Sequence, residues 1–198
     1  MSTVTLPSEF VPRNCSLVLS TNQRVNASPF SGSEQAVDLL NDRWLFKCEL
    51  PECPAAQGAW IEAFIDMMRG QTNTVALYHF GRPAPRGTAR GTLTLAASAA
   101  QGAAAVQITG CSPSTGTFLR GDMLGVGGLL LRVGEDAAAS GGVVTVTLAN
   151  RLRVALSSAA AVTWNMPTAP FRLLATSGVE YGQGRASATS FEFGEYIA

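Results

Sequence analysis

The chain has 198 residues, of which 46% are hydrophobic and only 14% charged, and its 14 basic residues balance 14 acidic ones. The hydrophobic content argues against a disordered chain, and a neutral charge without a Lys/Arg cluster argues against nucleic acid as principal partner. No window holds the roughly 20 apolar residues of a membrane span and no secretory signal begins the sequence, so we expect synthesis in the cytoplasm without a membrane partner.

The low charge has two explanations. A surface largely covered by other subunits needs few charges, whereas an exposed neutral surface would promote association. An Ala/Gly-rich composition inherited from a GC-rich genome would produce the same numbers without structural meaning.

The N-terminal part predicts an extended arm, a turn and a strand. Val11–Val25 is interpreted as an arm that leads into a strand, and the Ser, Pro and Gly residues of Ser28–Gly32 predict a turn. Asp42–Leu50 alternates in the manner of a half-buried strand. Its predicted buried face carries Trp44, Phe46, Cys48 and Leu50.

A single helix is predicted over Ala55–Arg69, with Pro54 at its first position and Gly70 as the glycine just beyond its end. Thr74–Phe80 then returns to strand character, because it is rich in β-branched and aromatic residues. The predicted apolar stripe of the helix consists of Trp60, Ile61, Phe64, Ile65, Met67 and Met68.

A Gly- and Ala-rich block lies between two proline-marked joints, Gly81–Gly87 and Asn165–Pro170. Glycines and serines divide it into six short strands, which suggest a small barrel or sandwich. Gly127-Gly128 suits a two-residue hairpin turn, since both residues can adopt positive φ. The predicted strands are Gly91–Leu95, Ala104–Ile108, Met123–Val126, Leu129–Val133, Val143–Leu148 and Ala161–Trp164.

The tail after the second joint predicts strands at Phe171–Ala175, Val179–Tyr181 and Ser190–Tyr196. Neither flank of the inserted block has enough strands for a sheet of its own, so the tail is expected to pair with the first part. The prediction is a mainly β protein. Its β-sandwich-like frame domain, residues 1–85 plus 168–198, contains the helix 55–69, and residues 86–167 form an inserted small β-barrel-like domain.

The sequence predicts no catalytic, cofactor-binding or metal-binding residue. Gly121–Gly128 is followed by a strand rather than the helix that a dinucleotide- or phosphate-binding loop requires. His79, the only histidine, has no nucleophile motif nearby and is expected to be packed. Asp122 and Glu135-Asp136 lack calcium-site spacing and suit turns better than acid catalysis.

The remaining candidates also favour structural roles. Arg151 and Arg153 are expected to bind a neighbour's carboxylate or to protect a sheet edge. Trp44 and Trp60 lie on core stripes, which leaves Trp164 as the candidate for a sugar platform, beside a joint that would bury it. The four cysteines lack metal-site or CxxC spacing and are expected to be buried thiols; they are Cys15, Cys48, Cys53 and Cys111.

Several segments resemble tail proteins of long-tailed bacteriophages, of the distal tail protein type. They are WLFKCELPECPAAQGAWIEAFIDMMRGQTNTVALYHF, GTARGTL, TGTFLRGDMLGVGGLLLRV, TLANRLRVAL and the closing SFEFGEYIA. In that family an N-terminal β-sandwich domain with one helix forms a hexameric ring at the tail end. Many members carry a second β-domain of the OB or galectin-like kind.

This resemblance implies a structural protein of the virion tail tip, made in the host cytoplasm, and not an enzyme. It implies a homo-oligomeric ring, expected to be hexameric, that joins the tail tube to the receptor-binding apparatus. We expect an N-terminal arm, Ser2–Asn22, to reach a neighbouring subunit and form part of the ring contact. The implied partners are further copies of the chain, the tail tube protein, and the tail-tip hub and other baseplate proteins. The alternative is a carbohydrate-binding module of a tail fibre or adhesin, which exposed aromatic side chains in the inserted domain would favour. A weaker third interpretation is a small hydrolase.

Overall fold

The computed structural model of the chain describes residues 2–197. Within them the chain is mainly β with one helix, as the alternating and glycine-divided sequence predicts. In chain order the elements are β1 (Thr3–Val4), β2 (Asn14–Ser20), β3 (Gln23–Ala27), β4 (Glu34–Asp38), β5 (Arg43–Leu50), β6 (Cys53–Pro54), α1 (Ala55–Met68), β7 (Thr74–Leu77), β8 (Leu93–Leu95), β9 (Ala105–Thr109), β10 (Thr117–Phe118), β11 (Met123–Val126), β12 (Leu129–Arg132), β13 (Ala137–Ala138), β14 (Val143–Thr147), β15 (Ala161–Thr163), β16 (Ala169–Thr176), β17 (Tyr181–Gly182), β18 (Arg185–Ala186) and β19 (Thr189–Glu195).

The described chain divides into two compact units. The frame unit comprises the chain up to Val18, Trp44–Ala84 and the chain from Asn165 onward; the barrel unit comprises Leu19–Arg43 and Pro85–Trp164. Both boundaries of the inserted block fall within the predicted joints. The backbone N–H of Met166 donates to the Pro83 carbonyl over 2.6 Å, so the two joints lie side by side, as expected.

Leu19–Arg43 is the main departure from the predicted domain organisation, which placed these residues in the frame domain. The structure groups them with the inserted block instead. Two arginines of that block explain the difference. Arg151 forms an ion pair with Asp38 at 3.6 Å, and the Arg153 guanidinium donates to the Asp42 carbonyl over 2.7 Å.

The frame unit is built on a six-stranded sheet with the order β1-β7-β16-β19-β5-β2. β16 pairs antiparallel with β7 and with β19, and β19 pairs antiparallel with β5. The predicted pairing of the tail with the first part is therefore confirmed. β5 buries one face as predicted, while the predicted strand at Val179–Tyr181 begins only at Tyr181, in a three-stranded sheet of β17, β18 and β6.

α1 matches the predicted helix to within one residue, but its buried stripe is rotated. Ile61, Phe64 and Met68 are buried, Trp60 is half-buried, and Met67 is 57% exposed, so its predicted burial is wrong. The repeat of i, i+3 and i+7 from Ile61 is the apolar face that the sheet covers. Among residues 2–197, no helix combines the length and apolarity that a membrane crossing requires.

The ends of α1 also differ slightly from the sequence prediction. Pro54 is the residue that caps the start of the helix rather than its first helical residue. At the other end the left-handed conformation begins at Arg69, with φ of 47°, and continues at Gly70, with φ of 62°. The helix therefore ends at Arg69, which is the first left-handed residue, and Gly70 is the second.

The barrel unit contains all six predicted strands, with boundaries shifted by two residues or fewer, in the order β12-β11-β15-β8-β9-β14. Its edge strands meet through a bridge between Val133 and Leu148. The backbone N–H of Gly134 donates to the Thr147 carbonyl beside that bridge, over 2.8 Å. Gly127 and Gly128 have φ of 56° and 78° and form the predicted hairpin turn. The buried core includes Leu93, Leu95, Val106, Ile108, Phe118, Leu124, Val126, Leu131, Val144 and Val146.

Candidate interaction surface

The hairpin of β3 and β4, with its connecting residues 28–33, is the most exposed element of the barrel unit. All ten residues of the two strands are exposed, and they pair in register from Gln23 with Asp38 to Ala27 with Glu34. An isolated two-stranded hairpin is marginally stable in water. Interactions at the two ends of this hairpin therefore matter for its shape.

The root of the hairpin is fixed to the barrel unit. The Asp42 carboxylate accepts from the backbone N–H of Asn22 over 3.0 Å, and the N–H of Leu39 donates to the Asn22 carbonyl over 2.8 Å. Arg151 and Arg153, through the contacts to Asp38 and Asp42 already described, add a second anchor. Both arginines thus bind the same chain, in addition to any role toward a neighbour.

The tip of the hairpin presents Phe30, which is 98% exposed. The Ser28 hydroxyl accepts from the backbone N–H groups of Phe30 and Ser31, and the N–H of Gly32 donates to the Ser28 carbonyl over 3.1 Å. Gly32 has φ of 65°, which a glycine adopts without strain. These hydrogen bonds support the turn, and the Phe30 ring is directed to solvent.

The sequence predicts the turn at Ser28–Gly32 but gives no local signal for β4. EQAVD lacks strict alternation and has a low β propensity, so no strand was expected there. The signal that could have revealed it is symmetry about the turn. Val25 and Val37 flank the turn at similar distances, as the two strands of a hairpin require.

A concave apolar site lies on the frame unit, and we call it the Phe10 cavity. Its volume is about 480 Å³. Phe10 is buried to 2% exposure, its ring centroid lies 5.8 Å from that of Phe80, and Tyr78 stacks on Phe80 at 4.5 Å. The lining residues are Leu6, Pro7, Ser8, Phe10, Val11, Pro12, Arg13, Cys15, Tyr78, Phe80 and Gly81.

Two segments that line the Phe10 cavity differ from the forms predicted for them. β7 ends at Leu77, so Tyr78–Phe80 lies outside the strand that the sequence predicted. The N-terminal residues, expected to form an arm toward a neighbouring subunit, fold onto the frame unit of their own chain: β1 pairs parallel with β7 and Phe10 enters the aromatic core. The arm is thus part of the cavity wall.

Asp122 has a structural environment. Its buried carboxylate accepts from the backbone N–H groups of Arg86, at 2.9 Å, Gly87, at 3.2 Å, and Leu119, at 2.8 Å. The Arg86 side chain adds an ion pair at 3.8 Å. These three N–H donors connect the start of the inserted block to the loop before β11 through the Asp122 carboxylate.

The other acidic residues and His79 are dispersed. The Asp136 carboxylate accepts from the N–H of Arg120, and Glu135 accepts from the Thr147 hydroxyl. The His79 side chain is half-buried, and its backbone carbonyl accepts from the N–H of Arg82. Within residues 2–197, no three His, Cys, Asp or Glu side chains are grouped so that they could bind a metal.

The tryptophans and cysteines occupy structural positions. Trp164 donates its indole N–H to the Gly91 carbonyl over 3.0 Å, and the Arg90 guanidinium lies over its ring at 4.9 Å. Trp44 is fully buried. All four cysteines are free thiols; three are buried as expected, while Cys15 is half-buried.

Comparison with known protein families and with curated protein sequences gives no match. Two surfaces of the chain, together with the sequence resemblance, bear on its function. Those surfaces are an exposed, anchored hairpin on the barrel unit and an aromatic cavity on the frame unit. Both are suited to binding a protein.

Proposed function

We propose that this protein is a structural, non-catalytic subunit of a bacteriophage tail tip, of the distal tail protein type. Copies of the chain assemble into a closed ring that joins the tail tube to the receptor-binding apparatus. The observation that carries the proposal is the hairpin of β3 and β4, whose strand residues are all exposed although its root and tip are held by specific contacts.

The hairpin is suited to contacts between identical subunits. Its β3 strand carries Arg24, whereas its β4 strand carries Glu34 and Asp38. Charges of both signs on an exposed hairpin allow complementary contacts with a different surface of the next copy, which is a head-to-tail arrangement. Head-to-tail contacts generate a ring when the rotation between copies closes.

The composition supports the same proposal. A chain with 14% charged residues and no net charge is better suited to an assembly in which neighbours cover much of its surface. By the resemblance, the neighbours are the tail tube protein on one side and the tail-tip hub with other baseplate proteins on the other, and the ring is hexameric. The protein then resides in the virion.

The carbohydrate-binding alternative lacks the feature that would favour it. It needs exposed aromatic rings in the inserted block, where Phe118 is fully buried and the Trp164 ring is covered by Arg90 on one face. The exposed ring of Phe30 lies instead at the tip of a hairpin, a convex position that offers no platform for a sugar.

The proposal is tested on purified virions of the phage that encodes the chain. Mass spectrometry should find the chain in the particle in several copies, and cross-linking should join copies to one another. Lys47 is the only lysine, so the cross-linker must be carboxylate-reactive or photoreactive. Absence of the chain from the particle, or its presence without links between copies, would contradict the proposal.

A further inference from the structure

We propose that Phe30, at the hairpin tip of one copy, inserts into the Phe10 cavity of the neighbouring copy. This inference rests on the proposed function, because it names the contact by which successive subunits of the ring recognise one another. It also explains two features together, the Phe10 cavity and the exposed Phe30 ring, as the two sides of one contact.

The first argument is the state of Phe30. A phenylalanine side chain that is 98% exposed leaves a large apolar area in water, and its burial at an interface is favourable. The hydrogen bonds of Ser28 and Gly32 already fix the loop. A pre-organised loop loses little conformational entropy on docking, so more of the burial energy contributes to binding.

The second argument is the shape of the receiving site. Its 480 Å³ lies within the range of about 300–1,000 Å³ typical of ligand clefts, which accommodates a phenyl ring together with Pro29. The stacked rings of Tyr78 and Phe80 form one wall, and prolines 7 and 12 contribute to the lining. Aromatic rings and prolines form surfaces that hold an inserted aromatic side chain well.

The third argument is charge complementarity. Arg13 is the one charged residue among those that line the cavity, and Glu34 is the one charged residue between Val25 and Val37 of the hairpin. Glu9 lies beside the cavity, where its carboxylate accepts from the Ser8 hydroxyl at 3.0 Å. Docking of the tip would place Glu34 near the rim that carries Arg13, and a pairing of this kind selects the orientation.

The occupant is a second copy because the two halves of the contact belong to the same chain. A protruding apolar group and a complementary pocket elsewhere on one molecule form a heterologous contact, which repeats from copy to copy. Each subunit in a closed ring would then donate one tip and receive one tip.

Photo-cross-linking of the full chain tests this contact directly. p-Benzoylphenylalanine replaces Phe30, and protein labelled with ¹⁵N is mixed at high concentration with unlabelled protein before irradiation. The proposal predicts cross-linked peptides that join the two isotopic forms and map residue 30 to residues 6–13 or 78–81.

A matched set of substitutions tests how much the contact between Phe30 and the Phe10 cavity contributes to self-association. Phe30→Asp and Val11→Asp each place a carboxylate at an exposed apolar position of the contact, and Val154→Asp does so at a position outside it. Sedimentation velocity should show self-association weakened about tenfold or more by the first two substitutions. Val154→Asp should leave it unchanged.

Charge reversal provides a specific rescue. Arg13→Glu and Glu34→Arg should each weaken self-association, and the double variant should recover most of the loss, because the pair is restored with opposite polarity. A double variant weakened by the sum of the two single effects would show that the two residues do not pair.

The outcomes separate this contact from the proposed function. Cross-links confined to one isotopic form, cross-links to another region, or no cross-link at all overturn the docking of Phe30. The proposed function is decided independently, by the presence and copy number of the chain in virions. A ring without the predicted cross-link would therefore remove only the contact.

Discussion

At the scale of single residues, Asp122 illustrates how a side chain that sequence analysis considers for catalysis is used for folding. Its carboxylate is buried and accepts three backbone N–H groups. Sequence predicted a local turn role, but it could not reveal the contacts to Arg86 and Gly87, because those residues lie 36 and 35 positions away.

Asp122→Ala should destabilise the protein by roughly 3 kcal/mol, since it leaves one buried and two partly buried backbone donors without their acceptor. Urea unfolding followed by circular dichroism measures the change. Glu135→Ala is the control, because its single long hydrogen bond to Thr147 should contribute within about 0.5 kcal/mol. Similar midpoints for the two variants would contradict the structural role of Asp122.

Phe64 is the second residue with a clear prediction. Its ring is 2% exposed and lies 5.7 Å from Phe10 and 6.3 Å from Phe191. Phe64→Ala should cost roughly 3–5 kcal/mol, because it leaves a cavity between the helix and the sheet. Met67→Ala, on the exposed side of the same helix, should cost far less; a Phe64→Ala melting temperature within a degree or two of the parent would refute the core assignment.

Cys48 yields a prediction for reactivity and pH. Burial, with a further contribution from Cys15, raises the pKa of the Cys48 thiol from an ordinary 9.0 to about 12. Because the thiolate is the reactive form, Cys48 should resist iodoacetamide at pH 8 in the folded protein and react in urea. Mass spectrometry of labelled peptides measures this, and rapid labelling of folded protein would contradict it.

The same shift sets the direction of the pH dependence. The folded state holds the thiol proton more tightly than the unfolded state does. The contribution of the protonated Cys48 thiol to the free energy of unfolding is therefore complete below pH 9 and is lost as the pH rises toward 12. Cys48→Ala should reduce this part of the alkaline destabilisation.

At the scale of elements, glycine-divided strands and the amphipathic helix were predictable because their patterns are local. The strands of the six-stranded sheet in the barrel unit, and α1, follow directly from turn residues and periodicity. β4 and the orientation of α1 could not be predicted in this way. β4 lacks an alternating pattern, and whether Met67 is buried or exposed depends on the position of the sheet. Tertiary packing decided both.

The adjacency of the two joints leads to a prediction for the inserted block. Replacement of residues 88–164 by a short Gly/Ser linker should leave the frame unit folded, because the Pro83–Met166 hydrogen bond already brings the ends of the block together. The shortened chain should unfold cooperatively with a smaller denaturant dependence, since less surface is exposed. Loss of cooperative unfolding would show that the two units share one core.

At the scale of the whole molecule, the sequence predicted self-association but could not indicate which surface would serve for it. Low charge is a property of composition, whereas the exposure of the hairpin and the position of the Phe10 cavity follow from three-dimensional packing. The N-terminal segment shows the difference most clearly. The sequence suggested an N-terminal arm that reaches a neighbouring subunit, but Val4, Phe10 and Leu17 are buried within their own chain, and the fully exposed strands are those of the hairpin.

The central claim is that copies of this chain form a closed ring at a phage tail tip. A reconstruction of the tail tip in intact virions tests it most directly. The account predicts a ring of identical subunits below the tail tube, expected to number six, with the hairpin of β3 and β4 at the contact between neighbours. Tail-tip density without this chain, or with a single dispersed copy of it, would contradict the account.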